Sequence, residues 1–136
     1  MSTNLKQVIL IRRDLRLKRA LVASLAARAS AAFFIDNDVS DHGDQMIVPL
    51  SSLEATWLSG PATRIVLGVS SEDALNRILM RAQTAGISTH SIEGRPPNAS
   101  VLDEKGDDVE QQLMCASLGP DESDRLDEIT GNLKLI

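Results

Sequence analysis

Residues Val8–Ile11 form an unbroken apolar run inside KQVILIR, with no polar alternation. Such a run reads as a strand covered on both faces, the habit of a parallel sheet. From about Leu17 to Phe34 the rhythm changes. Leu17, Leu21, Leu25 and Ala29 recur every four residues and make one stripe of a helix, which Lys18, Arg19 and Arg28 leave. Asp14 stands before that helix, where it can cap the N-terminus and suit its dipole. Alanine on the inner side permits close approach to a sheet.

Residues 36–44 (DNDVSDHGD) are acidic and rich in turn formers, and predict a surface loop. Leu50–Trp57 predicts a short helix capped by Ser51 or Ser52, with Trp57 docked on the core. Arg64–Val69 (RIVLGV) is a second continuous strand. Ser70, Ser71, Glu72 and Asp73 combine hydroxyl caps with first-turn acids, a helix start. That helix turns Leu75, Ile78, Leu79 and Ala82 inward and stops at Gly86. Ile87–Ile92 alternates as a third strand. Residues 94–108 predict a polar loop, and Gln112–Leu118 a fourth strand. Gly119-Pro120-Asp121 predicts the start of a last helix ending at Gly131, with 132–136 as a short final strand. The β-α-β-α-β order implies right-handed crossovers and an α/β fold. The expectation is a three-layer α/β/α sandwich with a four-stranded mixed, mainly parallel sheet, one domain over 1–136.

Composition narrows the function classes. The single Cys115 excludes an internal disulfide, and His42 and His90 lie in unrelated contexts, so neither a metal site nor a cofactor is expected. The only aromatic residues, Phe33, Phe34 and Trp57, are too few for a base-stacking platform. No apolar run reaches membrane-spanning length and no signal peptide is visible, so the expected location is cytoplasmic, without a membrane partner. Charge is distributed unevenly. Residues 1–30 carry Lys6, Arg12, Arg13, Arg16, Lys18, Arg19 and Arg28 against Asp14 alone, a balance of +6 within a chain of net charge −5. Arg12, Arg13, Arg16 and Arg19 therefore form a candidate patch for tRNA or another anionic ligand.

Nucleophilic chemistry finds little support. Ser24 and Ser30 sit among alanines as small packing residues, and no strand-turn-helix serine motif is present. Cys115 reads as an inert core thiol and His90 as a packed histidine.

Four segments resemble the type 2 peptidyl-tRNA hydrolase family: KQVILIRRDLRL; Trp57-Leu58 with RIVLGVSSEDAL; RAQTAGISTHSI; and SLGPDESDRLDEITGNLKLI, the most specific. In the last, Gly119-Pro120, Asp127, Thr130-Gly131 and Leu133-Lys134-Leu135 match the family's tail. The resemblance covers Lys6 to Ile136. It implies a four-stranded mixed sheet between helices, usually in a homodimer, and hydrolysis of the ester joining a peptide to the tRNA 3′ ribose.

Several positions depart from that pattern. An ungapped match from Asp14 puts Ala20, Leu21, Leu25 and Arg28 where the family has Gly, the catalytic Lys, Gln and His. In the family's Asp-x-Gly-Arg-Thr loop, Gly94 and Arg95 match, Glu93 takes the acid's place if the loop is one residue shorter, and Pro96 replaces Thr. Met114 lies near a usual threonine, and Asn132 replaces a histidine. Two readings follow from the resemblance. The chain is a diverged member, inactive or altered in substrate, or it is an active ester hydrolase with a site rebuilt from Lys18, Arg28 and Glu93. Arg95 joins the anion-binding set. One cleft holding Lys18, Arg28 and Glu93 would favour the second reading.

Overall fold

The computed structural model describes residues 4–37, 39–96 and 111–136. Strand β1 is Leu5–Arg12, helix α1 Arg19–Asp36, hairpin strands β2 and β3 Ser40–His42 and Gln45–Ile47, and helix α2 Ser52–Ser59. Strand β4 is Arg64–Val69, helix α3 Glu72–Thr84, strands β5 and β6 Thr89–Gly94 and Gln112–Glu122, and helix α4 Ser123–Thr130.

The main sheet runs β4-β1-β6-β5. Alternation along β1 sends Val8 and Leu10 to one face, with Leu75, Leu79 and Leu126 of α3 and α4. Ile9 and Ile11 go to the other, with Leu25 and Ala29 of α1. Both faces are covered, which is why β1 shows no polar alternation. The α/β fold and the mixed sheet are as expected.

The balance of pairings is not. Only β1 and β4 pair in parallel, whereas β6 pairs antiparallel with both β1 and β5. The expected mainly parallel sheet is corrected accordingly. Strands β1, β4 and β5 do share a direction, but β6 lies between two of them. Burial on both faces produces an apolar run whichever way the neighbours point.

Four local expectations also change. Asp14 does not cap α1; Lys18 is the N-cap residue and no side chain caps it. The loop expected over 36–44 contains a hairpin turning at Gly43 (φ 75°), with every strand residue exposed. Gly119-Pro120-Asp121 continues β6 instead of opening a helix. Lys6 pairs with Asp121 and Leu5 with Glu122, which holds the segment extended until Ser123. Residues 132–136 make one bridge, Leu135 to Leu67, and run along the free edge of β4. The loop expected at 94–108 lies outside the described residues from 97 on.

Other starts and stops agree. Ser51 and Glu54 form a reciprocal capping box, and Ser71 Oγ accepts from the Ala74 amide at 3.1 Å. Gly86 (φ 77°) follows α3 in the left-handed conformation. Trp57 is buried, and its Nε1 donates to the Thr63 carbonyl at 3.0 Å.

Candidate functional site at the carboxyl end of the sheet

The carboxyl ends of β1, β4 and β5 and the start of β6 meet at one end of the sheet. Loops at this end are where open α/β sheets bind ligands. Here lie the β1–α1 turn, the first turn of α1, the first turn of α3 and residues 93–96.

Arg12 holds this end together. Its Nε donates to Asp14 Oδ1 at 3.0 Å and its Nη2 to Asp14 Oδ2 at 2.6 Å. Its Nη1 donates to Gln112 Oε1 at 2.9 Å and to the Leu113 carbonyl at 3.1 Å. Glu72 Oε2 lies 3.9 Å from the same nitrogen and accepts from the Leu113 amide at 2.8 Å. One guanidinium thus joins the β1–α1 turn, the start of β6 and the start of α3. The hydrogen bond from Arg12 holds the Asp14 carboxyl below its ordinary range, and Asp14 in turn raises Arg12. The structure therefore turns Arg12 inward, away from the patch in which its sequence position grouped it. The spacing Arg-x-Asp at a strand end was the signal for this fork.

Arg13, Arg16, Lys18 and Arg19 are exposed around the turn. Arg13 lies across Gly68, where a Cβ would collide with its side chain. Its Nη2 donates to the carbonyls of Lys134 and Leu135, while the Gly68 amide donates to Lys134 O at 2.9 Å. The glycine of RIVLGV marks this close approach. Arg16 takes a positive φ of 51°. Arg95 is exposed just beyond β5.

Arg28 and Glu93 line two different grooves among the described residues, and the two grooves share Ser91. Arg28 lines a groove of about 450 Å³ on the α1 side, with Ala27, Ala31, Ile35 and Asp36. Glu93 lines a polar groove of about 460 Å³ on the α3 side, with Glu72, Asn76 and Gln112. Lys18 lines neither groove. Leu21 is partly buried and Leu25 buried, both packed with Ile9, Ile11 and Cys115. The positions where the resemblance expects Lys and Gln are thus apolar and serve packing.

A second polar group lies nearer the C-terminus of α1. His90 Nδ1 meets Asp36 Oδ2 at 2.6 Å. Its register partner across the sheet is Ser117. Among the described residues, His90 Nε2 and Ser117 Oγ are both buried without a hydrogen-bond partner. Ser117 is fully buried, so this trio offers no accessible nucleophile. Burial raises the Cys115 thiol to about 12. Among the described residues no three His, Cys, Asp or Glu side chains converge on a possible metal position.

The family model described as Peptidyl-tRNA hydrolase PTH2 matches residues 5–136. A peptidyl-tRNA hydrolase of Haloquadratum walsbyi is 31% identical over 132 residues, covering 96% of this chain and 99% of its own. Those of Methanothermobacter thermautotrophicus and Metallosphaera sedula are each 28% identical, covering 97% of this chain and 100% of their own.

Proposed function

The chain belongs to the peptidyl-tRNA hydrolase PTH2 family, and on that premise we propose that it binds the anionic acylated end of tRNA but hydrolyses its ester only weakly. It does so in the cytoplasm, as a homodimer. Arg16, Lys18 and Arg19, exposed at the β1–α1 turn, supply the positive charge for phosphate.

The observation that carries this reading is Leu21. Hydrolysis adds water across the ester, releasing the peptide carboxylate and the tRNA hydroxyl. Negative charge develops on the ester oxygen, and a cationic donor there is worth about 10²–10³ in rate. Leu21 stands where the resemblance expects that donor and packs into the α1-side core instead. Of the replacements, Arg28 and Glu93 line different grooves, which share only Ser91. Lys18, one turn before Leu21, is the residue we assign to the residual turnover.

The test is hydrolysis of N-acetyl-aminoacyl-tRNA by the purified protein beside Leu21→Lys and Lys18→Ala. The long stem of lysine lets its charge reach water from a half-buried position. Leu21→Lys is expected to raise turnover at least about tenfold, and Lys18→Ala to remove what the natural chain retains. Full turnover indifferent to both changes would overturn this reading. It would establish instead an active hydrolase with a rebuilt site, the reading favoured by the nearly full-length similarity to proteins named as peptidyl-tRNA hydrolases.

A further inference from the structure

The groove between α1 and β5 belongs neither to the charged β1–α1 turn nor to the Arg12 joint. Its volume, about 450 Å³, lies in the range of small-ligand sites. Ala31, Ala32 and Ile35 of α1 and Ile92 of β5 give it an apolar lining. Arg28 and Asp36 line it too. These two charges stand eight residues apart on one helix, about 12 Å along its axis. The groove is therefore apolar in the middle and opposite in charge at its ends.

Both charges can meet a ligand. Arg28 is exposed and makes no hydrogen bond or ion pair among the described residues. Its charge opposes the upward effect of burial on the Cys115 thiol, and Cys115 pairs in register with Ile92, so the guanidinium leans toward β5. Asp36 is instead fixed in place. His90 Nδ1 meets its Oδ2 at 2.6 Å, and the His90 side chain is only 10% exposed against 52% for Asp36. A buried imidazole thus aims a half-exposed carboxylate, whose Oδ1 has no partner among the described residues.

We propose that this groove binds a short apolar peptide with free ends, its carboxylate on Arg28 and its ammonium on Asp36. An extended chain advances about 3.3–3.6 Å per residue, so three or four residues match the separation of the two charges. The planar guanidinium fork suits a carboxylate, and Asp36 accepts from an ammonium. A nucleic acid would bring phosphate against Asp36, and its bases would find no aromatic ring in the lining. A fatty acid would match Arg28 and the apolar wall but leave Asp36 unused. The site goes beyond the proposed function, since it requires neither tRNA nor ester hydrolysis.

Titration calorimetry of the full chain with the peptide Leu-Ala-Leu-Ala tests this, beside the same peptide N-acetylated or C-amidated. The free peptide is expected to bind with a Kd at or below about 1 mM, and each blocked form at least about fivefold more weakly. Arg28→Gln is expected to erase the preference for a free carboxylate and keep that for a free ammonium. Asp36→Asn is expected to do the reverse. The blocked peptides probe the same contacts in the natural chain, independently of any effect of Asp36→Asn on α1. No saturable heat up to about 10 mM peptide, or preferences that survive both substitutions, would overturn the site. A preference for only one free end would overturn the peptide as ligand. If that end is the carboxylate and octanoate binds as tightly, the groove takes apolar carboxylates instead. Hydrolysis of N-acetyl-aminoacyl-tRNA is measured without free peptide, so its outcome is read separately.

Discussion

Arg12 and Asp14 meet through two parallel hydrogen bonds of 3.0 and 2.6 Å, and the remaining donors of the same guanidinium reach the start of β6. A planar fork can satisfy these acceptors at once, and an ammonium cannot. Arg12→Ala is expected to lower unfolding stability by about 2–4 kcal/mol, and Arg12→Lys by more than half as much. Arg16→Ala, on the exposed turn, should stay within about 0.5 kcal/mol. Urea unfolding midpoints at constant slope make the comparison.

Asp14 gives this joint a pH dependence. Its carboxyl lies below the ordinary value of 3.8, chiefly because Arg12 donates to it. A carboxyl depressed in the folded state contributes stability that is present above its unfolded value and lost as pH falls through the folded one. Thermal midpoints should therefore drop as pH falls below about 4. Asp14→Asn should start lower at neutral pH and lose less on acidification. Equal slopes for the two proteins would contradict the assignment.

Cys115 has a neutral thiol at every ordinary pH, since burial raises it to about 12. Thiolate is the reactive form. A disulfide reagent at pH 8 should label the protein only as fast as it opens, and labelling should become rapid in urea. Prompt labelling of the folded chain would show that α1 lifts from the sheet.

Gly68 is occupied by its neighbour's side chain in place of a Cβ. Gly68→Ala forces Arg13 off the β4 edge and away from the carbonyls of Lys134 and Leu135. The expected cost is about 1–2 kcal/mol. It should shrink in an Arg13→Ala background, because the collision is then gone. A double-mutant cycle by denaturation measures that coupling.

These residues also show what could be read in advance. Val8–Ile11 and Arg64–Val69 were legible as covered strands because burial on both faces leaves a continuous apolar run. Ser71 with Glu72 and Asp73 was legible because caps and first-turn acids act within one turn. Gly86 was legible for the same local reason. The direction of β6 was not, since an apolar run is indifferent to its neighbours' polarity. Nor was the extended path of Asp121, which pairing with Lys6 imposes from far away in the chain. At the site, the charges of the β1–α1 turn were visible, but their aims were not. Arg12 and Arg16 are alike as letters, and only the placement of Asp14, Gln112 and Leu113 turns one inward and leaves the other in water. Arg28 and Glu93 look like partners in the sequence, but the folded chain puts them in different grooves that share only Ser91.

The central position of β6 orders events during synthesis. It is the last main-sheet strand to be made, yet it is the one that joins β1 to β5. Before it emerges, β1 and β4 form only a two-stranded ribbon, which is marginal by itself, and β5 has no neighbour at all. Pairing Leu5 with Glu122 closes almost the whole length of the chain in one step, the kind of distant contact that slows folding. The growing polypeptide thus leaves the ribosome with an open strand edge and bare apolar rows on β1. Chaperones, or neighbouring nascent chains, meet that edge before β6 does.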